Sequence, residues 1–214
     1  MDFNDFLLAP KDCVVLFIDH QPVEYFGVTS HPQQTVRNNV VGFAKAVKVF
    51  DVPFVLTSIA SKDFNGLIIK ELRQALQVET PIDRTVINAF EEPLVLDAIA
   101  KTQRKKLLIS ALWTEVCALL PALSAIHSNY DVYVVTDTCA GGSIEAHERG
   151  IQRMIQAGVI PVTWAQVMLE WQRDWSKKQT VPAVLDIAKN HWAPYGIAIE
   201  FNEEIKNKTI SPKA

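Results

Sequence analysis

Cysteine is scarce in this sequence and is poorly placed for cross-links or metal binding. Cys13, Cys117 and Cys139 are the only three cysteines among 214 residues, and they lie far apart without a C-x-x-C pair. An odd set at such spacing excludes a disulfide framework and the common zinc motifs. We therefore expect three thiols in a reducing compartment, and we predict a cytoplasmic protein.

The sequence also lacks a strong excess of either charge and lacks long apolar runs. Its formal net charge is −3, so it has no basic field that would attract nucleic acid or an anionic membrane. No apolar run reaches membrane-spanning length, and the acidic start, Met1–Asp5, has neither the basic nor the apolar part of a secretory signal. We expect neither nucleic acid nor a membrane as a partner.

Short apolar runs alternate six times with amphipathic segments along the chain. The runs predict strands at Cys13–Ile18, Pro53–Ser58, Arg84–Ile87, Lys106–Ala111, Asp131–Thr136 and Val159–Thr163. The segments between and after them predict helices at Gln34–Phe50, Leu67–Leu76, Pro93–Lys101, Glu115–Ser128, Glu145–Ala157 and Ala165–Trp175. This alternation is typical of a doubly wound α/β protein with a mostly parallel sheet.

The alternation stops after Trp175, which divides the chain into a domain at residues 1–175 and an extension at residues 176–214. The extension predicts a short helix near Val181–Lys189, followed by Trp192, Tyr195 and a polar tail that ends at Ser211–Ala214. Exposed aromatic side chains favour burial. We expect the extension to pack on the domain or on a neighbouring subunit.

Cys117 lies just beyond the predicted strand Lys106–Ala111 and a tight turn. Thr114 is predicted to cap the next helix, which places Cys117 in its first turn. Unpaired N–H groups and the helix dipole favour a thiolate there, and a thiolate is a ready nucleophile. The alternative is a small buried apolar residue, the commoner role of a free cysteine. The local sequence leaves both interpretations open.

Asp19 directly follows the first predicted strand. In open α/β sheets, sites form beyond the carboxyl ends of the strands, where the strand order reverses. If the order is 3-2-1-4-5-6, strands 1 and 4 are neighbours at this reversal, and Asp19 and Cys117 meet at one crevice. Asp19 could then accept the thiol proton as a general base. The alternative is an aspartate that only caps a turn.

Five segments, taken together in their order and spacing, carry a family resemblance. They are LFIDHQ at Leu16–Gln21, RTVINAF at Arg84–Phe90, TEVCALLPALSAI at Thr114–Ile126, DVYVVTDTCAG at Asp131–Gly141 and TWAQVMLEWQRDW at Thr163–Trp175. From about Leu8 to Trp175 the sequence resembles the isochorismatase-like cysteine hydrolases, and among them the YcaC-like subgroup of uncertain substrate. The resemblance implies a three-layer α/β/α sandwich, Rossmann-like, with a six-stranded sheet in the order 3-2-1-4-5-6. It also implies a homo-oligomer, an octamer in this subgroup.

The resemblance further implies a catalytic triad, carried here by Asp19, Arg84 and Cys117. It implies a non-proline cis peptide bond between Leu112 and Trp113, with the N–H groups of Trp113 and Cys117 forming an oxyanion hole. The implied reaction is attack of Cys117 on the carbonyl of a C–N bond, followed by hydrolysis of the thioester. On this basis Asp19→Asn is expected to raise the pKa of the thiol.

Two departures from the family pattern bear on the chemistry. Arg84 stands where the family usually has lysine, and arginine cannot relay a proton, so its role would be electrostatic; a structural ion pair is the alternative. The metal-binding histidines of the nicotinamidases have no counterpart at Phe64–Leu67 or Thr80–Arg84. We therefore predict no metal, no other cofactor and a substrate other than nicotinamide. The presence of Cys117 argues against vinyl-ether hydrolysis.

Further residues near these motifs are candidates for the pocket, namely His20, Gln21, Thr114 and Asp137. For His20 the alternative is a strand-end histidine whose hydrogen bonds are satisfied within the fold. Other residues are expected outside the site: His147 at the surface, Glu115 in solvent, Cys139 as a structural residue, and Trp164, Trp171 and Trp175 as a core or interface stripe.

The function predicted from these residues is a cysteine hydrolase acting on a small amide-like substrate. The rival is a catalytically silent, oligomeric small-molecule binder that retains a relic site. A redox-sensing thiol is a third possibility, although no resolving cysteine lies nearby in the sequence. Alkylation of Cys117 in preference to Cys13 and Cys139 would favour the enzyme.

Overall fold

A computed structural model describes residues 7–210 of the chain, with side-chain environments for residues 7–206. The two termini discussed above, Met1–Asp5 and Ser211–Ala214, lie outside this range. The centre of the structure is one six-stranded sheet in the order β3-β2-β1-β4-β5-β6, and every pair of neighbouring strands is parallel. This confirms the predicted fold class and strand order.

The strands are short, as is usual for a parallel sheet that is covered on both faces. They are β1 (Cys13–Ile18), β2 (Phe54–Ile59), β3 (Ile82–Arg84), β4 (Lys106–Ala111), β5 (Asp131–Val135) and β6 (Ile160–Val162). β1 and β4 are adjacent in the middle, and their register pairs Ile18 with Ala111. The residues that follow these two strands therefore leave the sheet side by side.

Helices cover both faces of the sheet. They are α1 (Pro22–Phe26), α2 (Gln33–Val49), α3 (Lys70–Leu76), α4 (Pro93–Lys101), α5 (Leu119–His127), α6 (Ile144–Gln156), α7 (Trp164–Gln172), α8 (Val181–His191) and α9 (Ala193–Ile210). A π-helical turn, Thr114–Ala118, precedes α5. α1 was not predicted, and α9 replaces most of the predicted polar tail.

The core is divided by the sheet into two apolar clusters. Val15 and Phe17 of β1 point to the side of α2, α7 and α8, whereas Val14, Leu16 and Ile18 point to the side of α4, α5 and α6. This alternation follows from the two-residue side-chain period of a strand. All six β1 residues are buried, which is why the strand is apolar throughout.

The tryptophan stripe on α7 is mainly part of the core. Trp164 and Trp171 are each 2% exposed, whereas Trp175, beyond the helix, is 48% exposed. Trp171 stacks on Phe43 of α2 with ring centroids 5.9 Å apart. The stripe therefore joins α7 to α2.

β3 ends at Arg84, whereas the sequence predicted a strand that begins there. Ile82 to Arg84 pair with Thr57 to Ile59 of β2, and pairing stops because β2 itself ends at Ile59. The apolar residues that suggested the later strand, Val86 and Ile87, are exposed at the sheet edge. The shift moves Arg84 to the carboxyl end of its strand.

α3 begins at Lys70 instead of the predicted Leu67. Ile69 has an extended backbone, and its N–H donates to the carbonyl of His20 at 2.9 Å. This bond holds the segment before the helix against the end of β1.

The C-terminal segment packs on the main domain through α8. His191 lies against α2, where its backbone carbonyl accepts a 2.7 Å hydrogen bond from Asn38. The approach is close at Gly42, where a Cβ would lie 2.9 Å from Cβ of His191. Trp192 is partly buried against the core. The division into domain and extension at residue 175 stays a prediction.

Candidate active site

Asp19 forms a corner at the carboxyl end of β1. Its φ of 56° lies in the left-handed region, which is uncommon for a residue other than glycine and turns the chain sharply out of the sheet. Its N–H still donates to the carbonyl of Thr57 on β2, at 3.1 Å. The Asp19 side chain is fully buried at this end of the sheet.

Arg84 holds Asp19 with a bidentate ion pair. Its Nη1 and Nη2 each donate to one Asp19 carboxylate oxygen at 2.6 Å, and neither side chain has exposed surface. Nη2 also donates to the carbonyl of Ile87 at 3.2 Å. Two short parallel bonds fix both the charge and the orientation of the carboxylate.

Cys117 lies in the π-helical turn that follows β4, within hydrogen-bonding reach of the Asp19 carboxylate. The backbone N–H of Trp113 is also directed at its sulfur. Cys117 is 8% exposed, whereas Cys13 and Cys139 are 0% exposed. The fold therefore brings Asp19 and Cys117 together, and leaves Cys117 as the most accessible of the three thiols.

The surroundings of the Cys117 sulfur favour the protonated thiol. Burial raises its pKa well above the ordinary value, and the negative charge of Asp19 raises it further, while Arg84 and the Trp113 N–H only partly offset these effects. The predicted thiolate at a helix terminus is therefore wrong, because loss of hydration and an adjacent carboxylate outweigh the terminus. The expected effect of Asp19→Asn on the thiol pKa is reversed for the same reason.

The Asp19 carboxylate is suited to receive that proton. Burial raises the pKa of Asp19 above its ordinary value, and the hydrogen bonds from Arg84 lower it in part. The pKa of Arg84 stays high because Asp19 outweighs the effect of burial. A carboxylate kept ionised by one neighbour, yet more basic than in water, can act as a general base.

The peptide bond between Leu112 and Trp113 is cis, at the position where the family resemblance implies one. The side chain of Trp113 makes a separate contact: its indole Nε1 donates to the backbone carbonyl of Glu24 in α1, at 2.8 Å. The tryptophan thus connects the turn that carries Cys117 to the short helix that follows Asp19.

Thr114 does not cap the helix as predicted. Its N–H donates to the carbonyl of Ala140 at 2.9 Å, and its hydroxyl shares a 2.8 Å hydrogen bond with Nδ1 of His147. The hydroxyl is therefore turned away from the helix N–H groups and towards α6. Thr114 is fully buried and secures the nucleophile turn against its neighbours.

His147 and Glu115, which were expected at the surface, are partly buried beside this turn. The His147 ring packs edge-on against His31, with centroids 4.6 Å apart, and burial followed by the effect of His31 lowers its pKa to about 4. Glu115 accepts a 2.9 Å hydrogen bond from the Gly142 N–H. Both residues belong to the contact between α6 and the nucleophile turn.

His20 and Gln21 contribute to the site as structural supports. The His20 ring shares hydrogen bonds with Ser110 at 2.9 Å and with Tyr25 at 3.2 Å. Burial lowers the pKa of His20 to about 3, which keeps the ring neutral. The amide of Gln21 bonds both the N–H and the carbonyl of Ile59. Its side chain therefore joins the end of β1 to the end of β2.

Asp137, another predicted pocket residue, accepts a 2.9 Å hydrogen bond from the Trp164 N–H at the start of α7. Cys139 is fully buried, and its sulfur accepts a 3.4 Å hydrogen bond from the Ala111 N–H. Both contacts stabilise the ends of β4 and β5, which fits a structural role for each residue.

Glu24 was not selected from the sequence, yet the charges of the ion pair act on its carboxyl group. Its carboxyl group is half-buried, and burial followed by the charge of Asp19 raises its pKa to about 7. The sequence does carry a signal for the helix that holds Glu24, since Pro22, three residues after Asp19, is a residue that favours the first position of a helix, and α1 begins there.

A metal cluster is not part of this arrangement. Within residues 7–206 no group of three or more histidine, cysteine, aspartate or glutamate side chains is placed to hold a metal ion. Likewise, none of the helices described is both long enough and apolar enough to cross a membrane.

These features define a class: a three-layer parallel α/β protein with a buried cysteine, aspartate and arginine at the point where strand order reverses. Comparison with known proteins gives the family. The model of the isochorismatase domain matches residues 13–166. The chain is 32% identical over 189 residues to the probable hydrolase YcaC of Escherichia coli, across 88% of this chain and 90% of that protein. The chain therefore belongs to the isochorismatase family.

Solved structures give the same answer. The crystal structure of E. coli YcaC, described as an octameric hydrolase of unknown specificity, superposes with a TM-score of 0.88 and 31% identity over 93% of this chain and 97% of that one. YcaC from Pseudomonas aeruginosa, solved with hexane-2,5-diol and covalent acrylamide, superposes with a TM-score of 0.87 and 29% identity over 92% of this chain and 97% of that one.

Proposed function

We propose that this protein is a cysteine hydrolase that cleaves a small amide-like substrate through a thioester on Cys117, with Asp19 and Arg84 as its partners. The family and the YcaC relatives make the chain a hydrolase. The nucleophile, the triad and the substrate class are the proposal.

One observation carries the proposal, namely the position of the Asp19 carboxylate between Arg84 and Cys117. Both terminal nitrogens of the Arg84 guanidinium donate to Asp19, and the thiol of Cys117 lies within hydrogen-bonding reach of the same carboxylate. A purely structural ion pair would not need a thiol beside it. Nucleophile, base and a group that orients the base are the usual parts of a nucleophilic site.

In the acylation step, Asp19 accepts the thiol proton while sulfur attacks the substrate carbonyl. The N–H of Trp113, already directed at the sulfur, and the N–H of Cys117 would stabilise the developing oxyanion. Arg84 keeps Asp19 oriented and cannot itself carry the proton. Asp19 then gives this proton to the leaving nitrogen, so that the C–N bond breaks, the amine departs and an acyl group stays on Cys117. In hydrolysis Asp19 takes a proton from the attacking water, the C–S bond breaks, and Asp19 returns the proton to sulfur.

The small-amide assignment is supported by one relative. P. aeruginosa YcaC was solved with covalent acrylamide, a small molecule that carries both an amide and an electrophilic carbon. A site in this chain that accepts acrylamide would label on Cys117 rather than on the more deeply buried Cys13 or Cys139.

The alternative function is that of a catalytically inactive small-molecule binder that retains the same residues. The raised pKa and 8% exposure of Cys117 are also what an inactive, buried cysteine would show. Labelling separates the two, since a relic thiol would react no faster than Cys13 and Cys139.

We also propose that the protein is a homo-oligomer, an octamer as described for E. coli YcaC. Large apolar side chains are exposed in the segments that follow β1, β2 and β3, among them Phe26, Phe64 and Ile87, and such residues favour burial. Sedimentation or light scattering tests this, and a monomer would contradict it. Cytoplasmic location stays a prediction.

The decisive experiment is incubation of the wild-type protein and Cys117→Ala with a panel of small amides and esters, followed by intact-mass analysis. An acyl group trapped on Cys117 of the wild type, absent from the alanine variant, is the expected result. Turnover by Cys117→Ala would rule out the cysteine mechanism. Cys13→Ala is the matched control and should behave as the wild type.

A further inference from the structure

The hydroxyl of Thr114 connects the turn that carries Cys117 to α6. Thr114 directly follows Trp113 and precedes Cys117 by three residues, so it lies in the chain between the two N–H groups proposed as oxyanion donors. Its side chain is fully buried, and its Oγ1 shares a 2.8 Å hydrogen bond with Nδ1 of His147. A displacement of Thr114 would therefore change the orientation of the donors on either side of it.

α6 lies directly behind this turn. Gly150 comes three residues after His147 and is therefore on the same side of the helix. It lies so close to the turn that a Cβ there would be 3.1 Å from Cα of Glu115. The Thr114 N–H is held separately by the carbonyl of Ala140, in the loop after β5, at 2.9 Å. A backbone contact and a side-chain contact, made by different parts of the chain, thus fix the same residue.

The His147 ring is itself fixed and uncharged. It packs edge-on against His31, with centroids 4.6 Å apart, and Nδ1 of His31 shares a 2.8 Å hydrogen bond with Oγ of Ser30. The same Ser30 oxygen accepts a 2.8 Å hydrogen bond from the Gly141 N–H. Burial, followed by the effect of His31, lowers the pKa of His147 to about 4, so the ring is neutral at neutral pH. A neutral imidazole can either accept the proton of the Thr114 hydroxyl or donate to its oxygen.

We propose that His147 is a positioning residue of the active site, which holds the two oxyanion donors in their orientation through the hydroxyl of Thr114. The proposal rests on the Cys117 thioester proposed above. Oxyanion donors lower the barrier because they are aimed at the developing charge before the reaction begins. The alternative is a hydrogen bond that only satisfies a buried hydroxyl, as most buried polar groups are satisfied.

Two reactions of Cys117 separate these roles. With p-nitrophenyl acetate, sulfur adds to the ester carbonyl while its proton moves to Asp19. An oxyanion forms, the C–O bond breaks, and nitrophenolate leaves an acetyl group on sulfur. With iodoacetamide, sulfur displaces iodide from a saturated carbon and no oxyanion forms. Both reactions require deprotonated sulfur, so the ratio of their rate constants isolates the effect of the oxyanion donors.

His147→Ala removes the hydrogen bond to Thr114. We expect it to slow the nitrophenolate burst about 10-fold, less than the roughly 100-fold cost of deleting a donor, and to leave alkylation of Cys117 within about twofold of the wild type. His147→Asn keeps a hydrogen-bonding atom at the position of Nδ1 and should restore the burst. His127→Ala removes an exposed histidine at the end of α5. It is the matched control and should leave both reactions unchanged.

Thr114→Val tests the same hydrogen bond from its other end, because valine has the shape of threonine without the hydroxyl. It should reproduce the effect of His147→Ala, and it keeps the role testable if the alanine variant does not fold. An unchanged burst in the folded variants would overturn the positioning role. Equal slowing of both reactions would also overturn it, since the thiol itself would then have lost reactivity. Absence of acetyl-Cys117 in the wild type would overturn the cysteine mechanism and this proposal with it.

Discussion

Arg84 and Asp19, 65 residues apart in the chain, share two hydrogen bonds of 2.6 Å with no exposed side-chain surface. Removing either partner would leave a buried charge without its counter-ion, which typically costs about 3–5 kcal/mol. The same pair sets the charge that Cys117 experiences. Substitutions at Asp19 and at Arg84 should therefore lower the free energy of unfolding to a similar extent but have different effects on the pKa of the Cys117 thiol.

Asp19→Asn is expected to lower the pKa of the Cys117 thiol while abolishing hydrolysis. The charge of Asp19 raises that pKa in the native site, so its removal makes the thiolate easier to form but leaves no base in the mechanism. The pH dependence of iodoacetamide labelling at Cys117 measures this. A labelling profile that moves to higher pH would contradict it, and Cys13 and Cys139 serve as internal references.

Arg84→Met is expected to move hydrolysis to higher pH and to lower the free energy of unfolding by about 3–5 kcal/mol. Without the hydrogen bonds that lower it, the pKa of Asp19 rises further, and a protonated Asp19 cannot accept the thiol proton. Arg84→Lys keeps the positive charge and should retain a wild-type pH profile. A pH–rate profile for Arg84→Met that matches the wild type would show that Arg84 does not control Asp19.

His20 should make the protein less stable at mildly acidic pH. Burial lowers its pKa in the folded state from 6.5 to about 3, so the unfolded chain binds the proton first as the pH falls. The stability due to the neutral ring is complete above pH 6.5 and is lost progressively towards pH 3. Between about pH 7 and about pH 5 this amounts to ~2 kcal/mol.

Urea unfolding of wild type and His20→Gln at these two pH values tests the prediction for His20. The loss on acidification should be larger in the wild type by ~2 kcal/mol, because glutamine does not titrate. Equal losses in the two proteins would show that His20 is not the group responsible.

Gly27→Ala is expected to displace the Trp113 indole. The backbone φ of −80° at Gly27 suits any residue. The effect of the substitution therefore comes from the clash of the added Cβ with Cζ2 of Trp113. Overpacking of this kind costs about 1–3 kcal/mol and should slow labelling of Cys117 through the displaced turn. Gly142→Ala, where the added Cβ meets an ordinary 3.4 Å contact, is the control. Unchanged tryptophan fluorescence and labelling in Gly27→Ala would refute the prediction.

The alternation of strands and helices could be predicted because each apolar run indicates that its own residues are buried. β1 and β4 have the predicted bounds, since all or nearly all of their residues are covered on both faces. The bounds of β3 could not be predicted, because the edge strand takes its limits from β2 and not from its own apolar residues. Strand order was known from the family resemblance and not from periodicity.

The protonation states and hydrogen-bond partners of the side chains in the candidate site could not be predicted from the sequence. The motifs singled out Asp19, Arg84 and Cys117, but local reasoning from a helix terminus gave the wrong protonation state for the thiol. Thr114 was misassigned for a similar reason, since its partner His147 is 33 residues away. Glu24 was missed because its surroundings, and not its neighbours in the chain, make it unusual.

The sequence by itself determined which residues enter the core and which follow the ends of the strands, because hydrophobic periodicity and strand-end position are properties of a local stretch of chain. Only the tertiary structure decided which carboxyl groups are ionised, which thiol is accessible and which helix lies over the site. Those properties depend on desolvation and on charges brought together from distant parts of the chain.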